Sequence, residues 1–341
     1  MIARLLPFLS SAAWLVALLR ARQAATKRVL SADAAAAAAK RAAVVAGGFA
    51  HLHVVIDFDR TITTYLHQGE PGATCHGVLE GRRPPAVLAQ AAALKQHYLP
   101  IETCPATPTA AKVPHMIQWY TKINAILAAC GITQHDLRQD VAAARFSVRE
   151  GVAQLLAASA RHGFPVTVFS AGVGDVIEEA LRQRCYAGAA LPPTLRVISN
   201  RMLWSAEGTC TGFHAKVLHP FNKNFLEAGD FVGAEELAAL RARQCVVVVG
   251  DGEGDAEMGI GLGARVELKV GLVNDGSRAD VVEKFLRLFD VVCAWGWKAG
   301  GGWRPLWRCT ALAHSTSPAP PPPHLHTTLT QASLTPRCGP S

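Results

Sequence analysis

The sequence predicts an α/β protein: a doubly wound, mostly parallel sheet with a mainly helical cap inserted into it. Three observations carry this. Apolar, β-branched runs recur along the chain, as in His51–Ile56 and the four valines Val246–Val249, and such runs read as strands buried on both faces. Each run empties into polar or small residues. Segments with helical spacing of apolar residues separate the runs, the pattern of right-handed βαβ units.

Taken in order, the first strand ends in Asp57-Phe58-Asp59-Arg60-Thr61. Ligands of open α/β sheets sit outside the C-terminal strand edge. Two acids one residue apart can share a hard cation, and one can attack phosphorus. Two acids at a strand end also serve simply to keep it solvated. Residues 65–148 then carry helical spacing at Pro84–Tyr98, Pro114–Cys130 and Gln134–Phe146, which defines the cap. The next strand, 165–169, runs into Ser170-Ala171-Gly172-Val173-Gly174-Asp175 and the helical pattern Val176–Leu181. A hydroxyl and free N–H groups at a helix N-terminus form an anion site, although ordinary strand-to-helix turns also favour Ser and Gly. Strands follow at 195–199, 245–249 and 290–294. Between them stands Lys223, which taken alone reads as a solvated charge. The 245–249 strand opens into Gly250-Asp251-Gly252-Glu253-Gly254-Asp255. Two acids four residues apart, spaced by glycines, suit a metal better than a helix cap; the 12-residue EF-hand pattern is absent.

Composition narrows the function classes. The chain has 341 residues and a net charge of +8. Residues 1–48 hold seven Lys/Arg against Asp33, and residues 295–341 hold four Lys/Arg and no acid. The central 49–294 is therefore −2, the overall +8 less the +10 of the two ends. A basic nucleic-acid groove is not supported. The nine cysteines are scattered without a Cys-x-x-Cys, which fits free thiols in a reducing compartment. Residues 1–48 read as a disordered or targeting extension: Leu5–Leu19 is apolar but short for a membrane span, and the Arg-, Ala- and Ser-rich remainder is compatible with organelle import. Residues 295–341, with their Gly/Trp and proline runs, read as a low-complexity disordered tail.

The order Asp-x-Asp-x-Thr, Ser, Lys, Gly-Asp-x-x-x-Asp resembles the haloacid dehalogenase superfamily of phosphohydrolases. Thr74-Cys75-His76, Ile101-Glu102, Trp119-Tyr120-Thr121-Lys122, Phe169–Glu179, Val197-Ile198-Ser199-Asn200, Gly212-Phe213 and Phe221-Asn222-Lys223 narrow it. They resemble the cytosolic 5′-nucleotidase III family, the pyrimidine or 7-methylguanosine-phosphate-specific 5′-nucleotidases, over roughly residues 50–294.

The resemblance implies a Mg²⁺-dependent hydrolysis of nucleoside 5′-monophosphates through an aspartyl phosphate. Asp57 is then the nucleophile and Asp59 the general acid and base. The metal falls to Asp57, the Asp59 carbonyl and Asp251, with Asp255 behind them. Ser170, the Ala171 N–H and Lys223 hold phosphoryl oxygens, and Thr61 fixes the nucleophile loop. Glu102 reads the base, and Trp119 and Tyr120 either stack it or form cap core. The family's serine after Trp-Tyr-Thr-Lys, which reaches the ligand, is Ile123 here, followed by Asn124, so the choice between CMP or UMP and 7-methyl-GMP stays open. The family's closing helix has no counterpart after Ala294. The implied location is cytoplasmic, with no polymeric nucleic-acid partner and no stable membrane insertion. The alternatives are a related phosphatase of another small phosphate ester, or a non-catalytic homologue tethered by its termini.

Overall fold

The computed structural model describes residues 28–295. The elements, in order, are β1 (Arg28–Leu30), α1 (Ala34–Gly47), β2 (Leu52–Ile56), β3 (Leu66–His67), β4 (Glu70–Pro71), α2 (Cys75–Glu80), α3 (Pro85–Thr103), α4 (Thr109–Ala128), α5 (Gln134–Ala143) and α6 (Val152–His162). There follow β5 (Val166–Val173), α7 (Gly174–Cys185), β6 (Leu195–Asn200), β7 (Met202–Trp204), β8 (Cys210–Phe213), α8 (Ala234–Arg241), β9 (Cys245–Gly250), β10 (Val266–Val273), α9 (Ala279–Leu288) and β11 (Val291–Ala294). Seven strands form one sheet in the order β1-β11-β10-β9-β2-β5-β6. All its pairings are parallel except β1 with β11.

The centre of the sheet is β9-β2-β5. Their side chains are buried throughout, consistent with helices on both faces. The chain leaves β2 for α2–α5 and returns through α6 to β5, so the helices expected between the first two motifs lie between adjacent strands. Two expected helices are longer than their periodicity suggested. α3 continues through Pro100 to Thr103, and α4 begins at Thr109, ahead of Pro114. A proline inside a helix removes one hydrogen bond and strains the preceding turn; packing between the two long helices outweighs that cost. α5 is shorter than expected, ending at Ala143, and opens on a capping box from Thr133 and Asp136.

Two features depart from expectation. Residues 28–48, expected to lie outside the fold, supply β1 and α1; residues 1–27 and the tail from 296 lie outside the described residues. The alanine run, expected to belong to a disordered or targeting extension, is a sequence of the best helix formers. It is capped by Asp33, whose carboxylate accepts from Ala36 N at 2.9 Å, and tied to the sheet by the Lys40–Asp290 pair at 2.7 Å. Strand β10, between β9 and β11, was not anticipated. Its Val266-Glu267-Leu268-Lys269 start alternates polar and apolar residues and lacks the continuous apolar signature of its neighbours.

His53 on β2 is wholly buried, with Nε2 2.8 Å from Thr167 Oγ1. Burial, aided by the Arg243 and Arg196 charges, lowers its pKa from 6.5 to about 3. The unfolded chain therefore binds a proton that the folded chain refuses, and His53 costs stability as pH falls from about 6.5 toward 3, by roughly 1.4 kcal/mol per pH unit inside that window. Buried carboxylates with raised pKa values act with the opposite sign, so the comparison is with His53→Gln. Melting curves from pH 7 to 4.5 are expected to show the variant gaining on the unsubstituted protein as pH falls. Parallel curves would contradict the assignment.

Candidate active site

Asp57 is the residue after β2, its N–H bonded to Val249 O of β9 at 2.9 Å. The chain then turns tightly, with Arg60 at φ 64°, in the left-handed region uncommon for a residue other than glycine. This turn puts Asp57, Asp59 and Thr61 at the C-terminal edge of the sheet. β9 ends beside it and delivers Asp251. Gly250 allows the next turn to close, because a Cβ there would fall inside the Asp255 side chain. Asp57, Asp251 and Asp255 bring carboxylate oxygens within 4.8 Å of one another.

Lys223 reaches this cluster from the loop after β8. Its Nζ donates to Asp57 Oδ1 and Asp255 Oδ1, each at 2.6 Å, and all three side chains are buried. Asp255 Oδ2 accepts from Gly252 N at 2.8 Å. Thr61 Oγ1 lies 3.4 Å from Asp251 Oδ1. Asp59 points the other way: its carboxylate accepts from Cys75 N, at the start of α2, at 2.9 and 3.2 Å.

The electrostatics follow from two buried acids and a half-buried third, Asp251, meeting one ammonium. Burial pushes the Asp57 carboxyl well above the usual range; Lys223 opposes this, and the Asp255 and Asp251 charges reinforce it. Burial and then the Asp255 charge raise Asp251 to about 7. Burial raises Asp59 to about 6 against the Cys75 amide. Burial alone would lower the Lys223 pKa, but Asp255 and Asp57 overcome it and raise it. A hard divalent cation fits this donor set: the oxygens converge, and the negative charge exceeds what one lysine offsets.

Ser170 and Ala171 lie near the end of β5, beside β2. Ser170 Oγ accepts from Gly172 N at 3.1 Å. Gly172 sits tightly against α2: a Cβ there would be 2.6 Å from Cys75 Sγ. Asn200, at the end of β6, joins this loop to the lysine loop. Its Nδ2 donates to Ala171 O and Leu218 O at 2.8 and 2.9 Å, and its Oδ1 accepts from Leu218 N at 2.9 Å. Ser199 Oγ donates to Gly172 O at 2.8 Å. Asn200 and Ser199 lay inside a motif noted in the sequence, but nothing there assigned them a role. Asn274 and Arg149, which contact Asp251 and the nucleophile loop, carried no sequence signal at all.

The helices between β2 and β5 supply the far wall. Glu102, in the last turn of α3, is half-buried; burial raises its pKa against the Arg60 and Lys112 charges. Lys112 Nζ donates to Glu102 O at 2.7 Å. Tyr120 is shifted upward by burial and then by the charges of Glu102, Asp59 and Asp57. Its phenol therefore stands within electrostatic reach of both the acidic cluster and Glu102. Trp119 instead stacks on buried Tyr98, with centroids 5.8 Å apart. Ile123 is 5 % exposed and belongs to the main apolar cluster. Beside it, buried Asn124 has an Oδ1 with no hydrogen-bond partner.

Comparison with known proteins agrees with this geometry. The match to the pyrimidine 5′-nucleotidase (UMPH-1) family extends over residues 60–295. The 7-methylguanosine phosphate-specific 5′-nucleotidase of Drosophila melanogaster is 31% identical over 73% of this chain and 76% of its own length. The A form from Xenopus laevis is 30% identical over 72% and 83%. The crystal structure of cytosolic 5′-nucleotidase IIIB bound to cytidine superposes with a TM-score of 0.69 at 28% identity, covering 78% of this chain and 88% of that one. Family and structural likeness thus define a phosphoric monoester hydrolase of the 5′-nucleotidase type, on an α/β fold with a mostly parallel sheet. The chain belongs to the pyrimidine 5′-nucleotidase (UMPH-1) family.

The Gly250 contact gives a sharp test. Gly250→Ala would displace Asp255 from Lys223, whereas a Cβ at Gly252 comes no closer than 3.3 Å to Asp255. Phosphatase activity is expected to fall about 100-fold or more in Gly250→Ala, because misplacing a reacting group by about 1 Å costs that much. Gly252→Ala is expected to lose far less. Equal activities in two folded variants would show that Asp255 is not held as described.

Proposed function

We propose that this protein is a Mg²⁺-dependent 5′-nucleotidase that hydrolyses CMP and UMP or 7-methyl-GMP through an aspartyl-phosphate intermediate. The observation that carries this reading is the set of buried Asp57, Asp255 and Lys223 with half-buried Asp251, while the Asp59 carboxylate is bonded to the Cys75 amide. A carboxylate nucleophile must be ionised, and burial works against the ionised form of Asp57 while Lys223 favours it. Asp57, Asp251 and the Asp59 carbonyl would hold Mg²⁺, with Asp255 supporting them, and the bound cation supplies the positive charge that keeps Asp57 ionised and offsets phosphoryl charge.

A carboxylate oxygen of Asp57 attacks phosphorus as the bond to the 5′-oxygen breaks. Asp59 gives its proton to that oxygen, releasing the nucleoside. The resulting carboxylate then takes a proton from water, which attacks the same phosphorus and frees Asp57 and inorganic phosphate. The raised pKa of Asp59, about 6, suits a group that must first give and then accept a proton. Lys223, Ser170 and the Ala171 N–H hold the phosphoryl oxygens and stabilise charge in the transition state.

Substrate selection rests on the wall formed by residues 65–148, acting as a cap over the sheet edge. Glu102 accepts hydrogen bonds from the base, and Tyr120 lines the path between it and Asp57. Ile123 offers only an apolar surface where the resemblance places a serine. The cytidine bound to 5′-nucleotidase IIIB and the 7-methylguanosine specificity of the curated relatives define the two base classes. A cytoplasmic location is carried over from the name of cytosolic 5′-nucleotidase IIIB. Among the described residues no helix is long and apolar enough to cross a membrane.

The experiment is phosphate release from CMP, UMP, GMP and 7-methyl-GMP, with Mg²⁺ or with EDTA, by the full chain and by Asp57→Asn and Glu102→Ala. Release from CMP or 7-methyl-GMP is expected only with Mg²⁺ and not by Asp57→Asn. Glu102→Ala is expected to raise KM by about 10- to 100-fold, the worth of a hydrogen bond to a charged group. Hydrolysis of other phosphate esters with no nucleotide preference, and indifference to Glu102→Ala, would contradict the base-reading role. Activity that survives EDTA would contradict the metal.

A further inference from the structure

Asn274, just beyond β10, sits between the two halves of the acidic site. Its Nδ2 donates to Asp251 Oδ2 and to Arg60 O, both at 3.1 Å. Its Oδ1 accepts from Arg149 Nη2 at 3.0 Å. Arg149 in turn gathers the nucleophile loop: Nε donates to Thr61 O at 2.8 Å, and Nη2 to Arg60 O at 2.6 Å and Thr63 O at 3.4 Å. Its backbone N–H donates to Ile62 O at 2.7 Å. Four consecutive carbonyls after Asp59 are thus held by one residue. The guanidinium lies 4.6 Å from the centroid of the Trp295 ring, and Trp295 N–H is bonded to Val273 O at 3.0 Å. The ends of β10 and β11 therefore form one support beneath the loop.

From this geometry we infer that Asn274 and Arg149 are positioning residues that set Asp251 against the nucleophile loop. Among the described residues each Asp251 oxygen has one hydrogen-bond partner, Thr61 on Oδ1 and Asn274 on Oδ2, so the carboxylate is held in rotation. Its partners are the loop that carries Asp57 and Asp59, or are bonded to it. The spacing of the acidic cluster is then a property of this network rather than of the strand ends alone. Groups that orient metal-binding carboxylates in this way commonly govern metal affinity. The planar Arg149 fork matches several carbonyls at once, which a lysine cannot do. The inference rests on the cation role proposed for Asp251.

The test uses the full chain with Asn274→Ala and Arg149→Lys. Mg²⁺ binding is measured by calorimetry and by the rise in melting temperature on adding Mg²⁺, without substrate; kcat and KM for CMP are measured across Mg²⁺ concentrations. Both variants are expected to need about 10- to 100-fold more Mg²⁺ for half-saturation. KM for CMP at saturating Mg²⁺ should stay within about twofold, since uniform substrate binding is untouched. A purely structural role would lower the metal-free melting temperature and leave half-saturation where it was, and that result in both variants overturns the inference. Arg149→Lys keeps the charge, so it reports even if Asn274→Ala folds poorly. Asp251→Asn separates the two readings. If the unsubstituted protein binds Mg²⁺ and Asp251→Asn does not, unchanged affinity in the other two variants defeats this inference alone. If the unsubstituted protein binds no Mg²⁺, the cation reading falls and takes this inference with it.

Discussion

Three carboxylates and one ammonium, all buried but for half-buried Asp251, gather at the C-terminal edge of β2 and β9 and set the terms for the rest of this structure. Asp57 and Asp255 share Lys223 at 2.6 Å each, and Asp251 lies within the same cluster. Removing such charges from water is expensive unless each is paired. Burial, and after it the neighbouring acid charges, shifts Asp57 and Asp251 upward. The proposed chemistry draws on this imbalance, since added positive charge at the cluster favours the ionised carboxylate that a nucleophile requires.

The surrounding network makes the arrangement rigid. Backbone carbonyls that would otherwise be stranded are taken up by Asn200, Ser199, Asn274 and Arg149. Glycines occur where loops must approach without a side chain, at Gly172 against Cys75 and Gly250 against Asp255. The four motif loops come from separate parts of the chain, and their alignment depends on these polar ties as much as on the sheet. Glu102 on α3 and Asp59 and Asp57 at the end of β2 all act on the Tyr120 phenol of α4 through their charges.

What the sequence disclosed follows from signal strength. Buried parallel strands such as Val246–Val249 announce themselves, and so do acids placed where such strands end. The motif residues Asp57, Asp59, Ser170, Lys223, Asp251 and Asp255 could therefore be named from their order. Strand β10 could not, because its first residues alternate in polarity. The alanine-rich α1 was hidden for the opposite reason: a strong helix former without apolar periodicity fits a targeting extension as well as a helix. Asn274 and Arg149 were invisible because a single Asn or Arg in a loop has no spacing to betray it; its role exists only once β10 and β11 bring it beneath the nucleophile loop. Ile123 illustrates a further limit. Its position was legible, but only the fold shows it among the buried apolar residues, with Asn124 carrying the polar group.

The central claim is that Asp57, within this charge-imbalanced cluster, forms the covalent bond to phosphorus. The most direct measurement is to quench the enzyme during turnover of a nucleoside monophosphate with borohydride, which reduces an aspartyl phosphate, and to locate the reduced residue by peptide mass mapping. The account predicts reduction at Asp57, dependent on both nucleotide and Mg²⁺ and absent in Asp57→Asn. Turnover with reduction at another carboxylate would contradict it.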